Sequence, residues 1–155
     1  MSLMRKEKVV ALLEIETFAH ATEDREKVLK AIFNLIPENI RDHLKDNILY
    51  VNLQGHHGNP ITLYRLKVEG DQAQEIARNI FSKMESFDSK LLISSLEDRS
   101  DKRSLYLRLD KQCAYLGLFK LLQGDDVIKI RVCFLPHIRG IEKIKQALSA
   151  LGLKP

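Results

Sequence analysis

Two segments of this sequence combine residue types that suit contacts with nucleic acid. The first is the loop over residues 55–60, which contains His56, His57, Gly58 and Asn59 in succession. Glycine lets a phosphate come close to backbone N–H groups, and histidine and asparagine donate hydrogen bonds to phosphates or base edges. The same residues also suit a plain hairpin turn, in which glycine and asparagine supply positive φ and the histidines are only solvated.

The second segment begins where the alternating pattern of a strand stops. Its candidate binding residues are Arg108, Asp110, Lys111, Gln112 and Tyr115. Side chains at a strand end or a bulge are readily directed towards a ligand, and Tyr106 or Tyr115 can offer a ring on which a base stacks. The alternatives are a surface ion pair between Arg108 and Asp110 and ordinary packing of half-buried tyrosines.

A third candidate is a strand that carries cations on one side. Over residues 127–134, Lys129 and Arg131 alternate with apolar residues and therefore lie on the opposite face of the strand. If the neighbouring strand aligns, Arg108 and Lys120 extend them into a basic stripe. Solvated charge on an exposed face is the alternative interpretation.

The charge distribution favours a polyanionic partner. The net charge is +4, but residues 101–155 hold 11 lysines and arginines against 5 acidic residues, whereas residues 1–100 hold 14 against 16. Positive charge concentrated in one third of a small domain raises the local concentration of phosphates. The surplus also has a simpler explanation, because surface charge keeps a protein soluble.

Metal and cofactor chemistry find little support, so we predict neither a metal nor a cofactor. Cys113 and Cys133 lack the short ligand spacings of a zinc site, and the adjacent His56 and His57 point to opposite faces of an extended chain. The sequence contains none of the motifs of dinucleotide sites, P-loop NTPases or α/β-hydrolases. One catalytic alternative stays open, in which His56 or His57 converges with Lys111 and cleaves RNA without a metal.

The hydrophobic pattern predicts one domain over residues 1–155. Alternation predicts strands over residues 10–19, 48–54, 61–69, 105–110, 118–122 and 127–134. Helices with buried stripes lie between them, with Thr22, Asp71 and Asp88 as the expected N-caps. This order predicts an α+β fold, a mainly antiparallel sheet of about five to six strands with helices packed on one face. The other face is then open to a ligand.

The composition favours a cytoplasmic protein without a membrane span. A hydrophobic content of 45% with 30% charged residues is typical of soluble globular proteins. Two cysteines argue against a disulfide framework. The best apolar stretch, residues 9–18, is interrupted by Glu14 and Glu16, so it falls short of the roughly 20 residues of a membrane helix.

Several motifs together resemble one archaeal protein family. They are Gly55-His56-His57-Gly58-Asn59-Pro60-Ile61, Leu105-Tyr106-Leu107-Arg108-Leu109-Asp110-Lys111-Gln112-Cys113-Ala114-Tyr115, Asp125-Asp126-Val127-Ile128, and the strand end Ala19-His20-Ala21-Thr22-Glu23-Asp24. The resemblance extends over residues 9–134, and Cys113 stands where the family usually has alanine. Members of the family are usually labelled predicted RNA-binding proteins or predicted exosome subunits. The resemblance implies an α+β domain similar in fold to the large-subunit ribosomal protein that binds 5S rRNA.

The residues and the resemblance together predict a non-catalytic RNA-binding protein, an accessory factor in RNA processing or ribosome-related RNA metabolism. The predicted RNA contacts are His56, His57, Gly58, Asn59, Arg108, Asp110, Lys111, Gln112, Tyr115, Lys129 and Arg131. Binding should weaken steeply as salt rises, and Lys111→Ala should weaken it without unfolding the domain. The alternatives are an adaptor of an exosome-like RNA-processing assembly and a metal-independent, His-dependent ribonuclease. A homodimer is compatible with each of them.

Overall fold

The structure, a computed structural model, describes residues 7–55 and 57–154. Within these residues the strands are β1 (Val10–His20), β2 (Leu49–Gln54), β3 (Pro60–Glu69), β4 (Ser104–Leu109) and β5 (Ile128–Phe134). The helices are α1 (Arg25–Leu35), α2 (Glu38–Leu44), α3 (Gly70–Lys83), α4 (Ser86–Ser94), α5 (Leu96–Arg99), α6 (Lys111–Tyr115) and α7 (Ile141–Ala150), and a 3-10 turn over Lys45–Asn47 precedes β2. The predicted α+β fold is confirmed.

The strands form one antiparallel sheet in the order β2-β3-β1-β5-β4. The first strand of the chain lies at the centre, because β1 pairs with β3 on one side and with β5 on the other. The predicted hairpin of β2 and β3 is present, and β2 forms one edge of the sheet. This order places β5 beside β1, whose residues precede it by more than a hundred positions in the chain, and β4 at the other edge of the sheet.

One face of the sheet is buried under helices and the other carries charged side chains. The buried face presents Ile15, Leu66, Leu107 and Ile130, which are almost fully inaccessible to solvent. Helices α1 and α3 pack on this face because each has an apolar stripe along one side. The polar residues that alternate with the apolar ones therefore point to the opposite, open face, as the alternation predicts.

The predicted strand over residues 118–122 is wrong, which leaves five strands among the residues described. Gly117, with φ of +84°, turns the chain after α6. The segment then meets β4 only at its end, where Leu121 forms an isolated bridge with Leu109. Leu118 and Leu122 are exposed, so their alternation does not report a buried strand face.

Three predicted helix starts are also displaced. The N-cap of α1 is Asp24, which accepts a hydrogen bond from the Glu26 N–H at 2.9 Å, and not Thr22. Because β1 continues to His20 and a turn follows it, the helix begins later than the first residue capable of capping it. Helix α3 begins one residue before Asp71. Helix α4 begins at Ser86, which places Asp88 in its first turn.

Among residues 7–55 and 57–154, no helix is both long enough and apolar enough to cross a membrane.

Candidate functional site

The open face of the sheet carries two parallel rows of polar side chains, each running across four strands. The first row consists of Arg65, Glu16, Lys129 and Arg108. The second row, two residues further along each strand, consists of Lys67, Glu14, Arg131 and Tyr106. Neighbours within a row stand on strands about 4.8 Å apart, and the rows are separated by roughly 7 Å along each strand. The predicted proximity of Arg108 to Lys129 is therefore present.

A cavity of about 690 Å³ lies over these two rows. Its floor is the open face. Ser95, between α4 and α5, forms one wall together with Asp98 and Arg99 of α5 and with Gln123. The cationic residues lining it are Arg65, Arg99, Arg108, Lys129 and Arg131. The acidic ones are Glu14, Glu16 and Asp98. The lining thus has more positive than negative groups.

Two of these cations are held by glutamates of the central strand. Glu16 accepts a hydrogen bond from Arg65 Nε at 3.0 Å, and Glu14 accepts one from Arg131 Nη1 at 2.9 Å. The hydrogen bond to Glu14 raises the pKa of Arg131 above its ordinary value, which favours the charged guanidinium. These ion pairs fix the orientation of both arginines and neutralise most of the negative charge on the floor of the cavity.

Two other cations are available to an anion. In the part of the chain that the structure describes, neither Lys129 nor Arg99 has a carboxylate within ion-pairing distance. Arg99 is oriented by a hydrogen bond from its Nε to Ser95 Oγ at 2.7 Å. Lys120, which was predicted to extend the stripe, lies outside both rows, and its ammonium is 2.7 Å from Glu85 Oε1. The basic stripe therefore ends at Arg108.

Tyr106 is held in a defined orientation at the end of the second row. Its side chain is part of the cavity lining, and the residue is 44% exposed. Its hydroxyl donates a hydrogen bond to Asp101 Oδ2 at 3.0 Å, and Asp101 also accepts from the N–H groups of Ser104 and Arg103. These bonds, the one from Ser104 above all, lower the pKa of Asp101. The ring is thus anchored at one end and accessible along its body.

A second cluster lies at one end of the sheet and consists of His20, Glu23, Lys111 and Asp126, here called the Lys111 cluster. The Lys111 ammonium donates to the carbonyl of Phe18 at 2.8 Å and to Glu23 Oε1 at 2.9 Å, and it lies 2.6 Å from Asp126 Oδ1. His20 Nε2 lies 3.3 Å from the same carboxylate oxygen. Because an ammonium has three N–H groups, Lys111 has no donor left for a phosphate.

This arrangement bears on two questions, whether the cluster could hold a metal ion and whether Lys111 could take part in metal-free RNA cleavage. The ligand atoms of His20, Glu23 and Asp126 lie within 4.8 Å of one another, a spacing that suits a metal ion. The Lys111 side chain, which is only 7% exposed, already places a positively charged ammonium among these three ligands. The same burial removes Lys111 from the role of a cation that faces a phosphate during metal-free RNA cleavage.

The Lys111 cluster also holds the loop that borders the cavity. Asp126 is the last residue of this loop, residues 123–126, and is bound by Lys111. On the other side Arg108 Nη1 donates to the Gly124 carbonyl at 2.9 Å, and Thr17 Oγ1 donates to the Val127 carbonyl at 2.9 Å. A buried lysine at the strand end therefore positions the loop whose Gln123 lines the cavity.

The hairpin loop between β2 and β3 lies at the same end of the sheet as the Lys111 cluster, because His20 pairs with Ile61. His56 lies outside the described residues, and His57, Gly58 and Asn59 are exposed. Gly58 has φ of +80°, as the hairpin interpretation requires, whereas Asn59 does not take positive φ. The N–H groups of Gly55 and Gly58 bond within the loop, to the carbonyls of Asn59 and Gly55 respectively. The described loop residues do not line the cavity.

The segment after β4 is a short helix and not a bulge. Asp110 is the N-cap of α6 and accepts hydrogen bonds from the N–H groups of Gln112 and Cys113 at 2.9 and 3.3 Å. The side chain of Gln112 is exposed on this helix. Tyr115 packs on α1, with the ammonium groups of Lys27 and Lys30 5.6 and 5.1 Å from its ring centre. None of these three residues, Asp110, Gln112 and Tyr115, lines the cavity.

Comparison with known proteins adds to this geometry. Residues 12–134 match the RNA-binding family. The chain belongs to this family. The matched span contains both rows, the Lys111 cluster and the hairpin loop. The predicted relation to a family of RNA-binding proteins is thereby confirmed.

Two relatives and one solved structure illustrate the family. An uncharacterized protein of Methanocaldococcus jannaschii is 40% identical over 119 residues, which are 76% of this chain and 79% of the relative. The RNA-binding protein PAB1135 of Pyrococcus abyssi is 37% identical over 123 residues, 77% of this chain and 79% of the relative. The structure of a DUF54 protein from Sulfolobus solfataricus has a TM-score of 0.73 at 28% identity, covering 90% of this chain and 98% of that protein.

Several residues of the site were not among the sequence predictions. Arg65 on β3 alternates with buried residues just as Lys129 does on β5, so the same alternation rule identifies it once β3 is known to border β1. Glu14 and Glu16 were visible as the polar face of β1, but their arginine partners were not. Arg99 comes from α5, and no local pattern indicates that this helix borders the open face.

Proposed function

We propose that this protein binds RNA on the open face of its sheet and serves as a non-catalytic accessory factor in RNA processing or ribosome-related RNA metabolism in the cytoplasm. The observation that carries the proposal is the cavity over the two rows, in which five cationic residues face three acidic ones. Membership of the RNA-binding family and the name of the Pyrococcus abyssi relative support the same function.

The predicted binding residues take different roles in this proposal. Lys129 and Arg108 attract phosphates from the floor of the cavity, and Arg131 does so while held by Glu14. Lys111 and Asp110 act as positioning residues, because their polar groups are used to hold the 123–126 loop and to cap α6.

The hairpin loop extends the proposed surface along the end of the sheet. An RNA chain that extends beyond the cavity can contact polar groups of this loop and of α6. The predicted contacts are His56, His57, Gly58 and Asn59 in the loop and Gln112 and Tyr115 on α6. Contacts of this kind fix the register of the RNA, whereas the cations of the cavity supply most of the affinity.

The experiment that tests the proposal measures RNA affinity by fluorescence anisotropy as a function of salt. For single-stranded RNA, log K should fall linearly with log[salt], with a slope of about −0.7 for each phosphate neutralised. Lys129→Ala should lower both the affinity and the magnitude of this slope. Lys143→Ala on α7, which removes an exposed lysine away from the cavity lining, is the matched control and should change neither. Absent or salt-insensitive binding would contradict the proposal.

A second candidate function rests on the edge strand β2. All six of its residues are exposed and uncharged, and they include the large apolar side chains Leu49, Tyr50, Val51 and Leu53. An edge strand without charges or proline offers unpaired backbone groups to another strand. This edge suits an adaptor that joins an exosome-like assembly, as the family resemblance implies, or a homodimer.

The adaptor function predicts a partner that is retained after nuclease treatment. Val51→Lys places a charge in the middle of β2 and should release such a partner, whereas Lys129→Ala should not. Analytical ultracentrifugation of the purified chain separates self-association from binding of another protein. Loss of the partner on nuclease treatment would instead show that RNA bridges the two.

A further inference from the structure

We infer that the cavity accepts single-stranded RNA, with one base stacked on Tyr106 and the adjoining phosphate held by Lys129 and Arg99. The inference rests on the proposed function and adds the form of RNA that the site selects and the residue that reads the base.

The dimensions of the site favour a single strand over a duplex. A volume of about 690 Å³ falls within the range of small-ligand clefts and cavities, roughly 300–1,000 Å³. Proteins that recognise double-stranded RNA instead contact an extended surface, about 16 base pairs for the double-stranded RNA-binding domain. The wall at Ser95 and Arg99 makes this site a recess in the sheet face. One or two splayed nucleotides can enter such a recess, whereas the convex surface of a helix cannot.

Tyr106 has the properties of a stacking residue. The residue is 44% exposed and borders the cavity, and its hydroxyl is tied to Asp101. A ring that is already immobilised loses little further entropy when a base stacks on it. Tyr115 differs because two ammonium groups, those of Lys27 and Lys30, already lie over its ring.

The charged residues of the cavity place the RNA backbone over β4 and β5. Lys129 stands diagonal to Tyr106 on the neighbouring strand, since Tyr106 pairs with Arg131. Diagonal side chains on adjacent strands are about 7–8 Å apart, a separation that one nucleotide spans between its base and its phosphate. Glu14 and Glu16 line the β1 side of the floor, where their ion pairs with Arg131 and Arg65 leave little net positive charge to attract a phosphate. Lys129 and Arg99, which have no carboxylate partner among the residues that the structure describes, therefore mark the path of the RNA backbone.

A binding experiment with the full chain tests the inference. Three ligands of equal length are compared at one salt concentration: a single-stranded RNA, the same strand with abasic riboses, and its duplex. Wild type should bind the single strand at least about tenfold more tightly than the duplex. Tyr106→Ile should weaken binding of the intact strand by about tenfold to a hundredfold, the range measured for loss of one stacked base. It should leave binding of the abasic strand nearly unchanged.

Tyr106→Phe is the matched control, because it keeps the ring and removes only the hydroxyl that Asp101 accepts from. It should bind the intact strand within about threefold of wild type. Isoleucine suits a strand position, and a thermal melt shows whether Tyr106→Ile is folded. A second measurement uses the wild-type protein and needs no variant. A 2-aminopurine base in the single-stranded RNA should change its fluorescence when it stacks on the Tyr106 ring.

The outcomes separate this inference from the proposed function. Equal or tighter binding of the duplex overturns the inference but leaves RNA binding intact, and so does an equal loss on the intact and abasic strands. Unchanged 2-aminopurine fluorescence on binding overturns the stacking on Tyr106. Failure of the wild type to bind any of the three ligands overturns the proposed function itself.

Discussion

The ammonium nitrogen of Lys111 lies 2.6 Å from Oδ1 of Asp126. This contact joins the first residue of α6 to the loop that precedes β5, fifteen positions later in the chain. Arg108, three residues before Lys111, binds the same loop through the Gly124 carbonyl. The loop that borders the cavity is therefore held on both sides, and its position depends on a buried lysine that does not face the cavity.

Lys111→Ala should lower the free energy of unfolding by roughly 1–3 kcal/mol. The substitution leaves Glu23, Asp126 and the Phe18 carbonyl without their shared donor, and two carboxylates then lie close together. Urea denaturation followed by circular dichroism measures the change. Lys120→Ala is the matched control, because this lysine also has two acidic partners but its side chain is 39% exposed. A loss no larger for Lys111→Ala than for Lys120→Ala would show that burial does not matter here.

Lys111→Ala should also weaken RNA binding without changing its salt dependence. The ammonium makes no contact with a phosphate in our proposal, so no counterion is released through it. The slope of log K against log[salt] should equal that of wild type, whereas Lys129→Ala reduces it. Measurements are made at a temperature at which both variants are folded. A reduced slope for Lys111→Ala would mean that its ammonium contacts RNA directly.

The contribution of Asp126 to stability should depend on pH. The hydrogen bond from Lys111 lowers the pKa of Asp126 below its ordinary 3.8. Folding therefore favours the charged carboxylate, so this contribution is present above about pH 4 and is lost as the pH falls through the lower, folded-state pKa. The difference in unfolding free energy between wild type and Asp126→Asn should be largest near pH 7 and shrink towards pH 2.

Asp125→Asn is the control for this measurement, because the neighbouring side chain is 94% exposed and lies 3.9 Å from its Arg108 partner. The difference in unfolding free energy between wild type and Asp125→Asn should vary less with pH. If the gap between wild type and Asp126→Asn were constant from pH 7 to pH 2, the ion pair with Lys111 would not be its source.

Asp110→Ala should destabilise the protein by about 1 kcal/mol, because it removes the acceptor for two N–H groups at the start of α6. Asp110→Ser retains an N-cap acceptor and should restore most of this loss, which thermal or urea denaturation measures. RNA affinity of Asp110→Ser should match wild type. Weaker RNA binding by a fully stable Asp110→Ser would instead assign the carboxylate a contact with the ligand.

The local patterns of the chain predicted more of the fold than of the site. Alternation along β1 and β5 identified which side chains are buried, because one face of an antiparallel sheet packs on helices while the other is solvated. It failed for residues 118–122, where the alternating Leu118 and Leu122 are exposed and the intervening Phe119 is buried. It also did not show that residues 111–115 form a helix, since a five-residue helix has too few turns to reveal a period.

Local patterns predicted even less of the candidate site than of the fold. His20, Glu23, Lys111 and Asp126 belong to three separate motifs of the family resemblance, yet nothing in their spacing shows that they share one cluster. Lys111 was predicted to bind a ligand, and only its surroundings show that its donors are already used.

The amino-acid sequence by itself determined the secondary structure of most of the chain, the class of fold and the identity of the family. These follow from periodicity and from short motifs, both of which are local properties. The tertiary structure alone decided which cations face the cavity and which are buried among carboxylates. That outcome depends on the strand order and register, because pairing β1 with β3 and β5 joins residues that no local interaction connects.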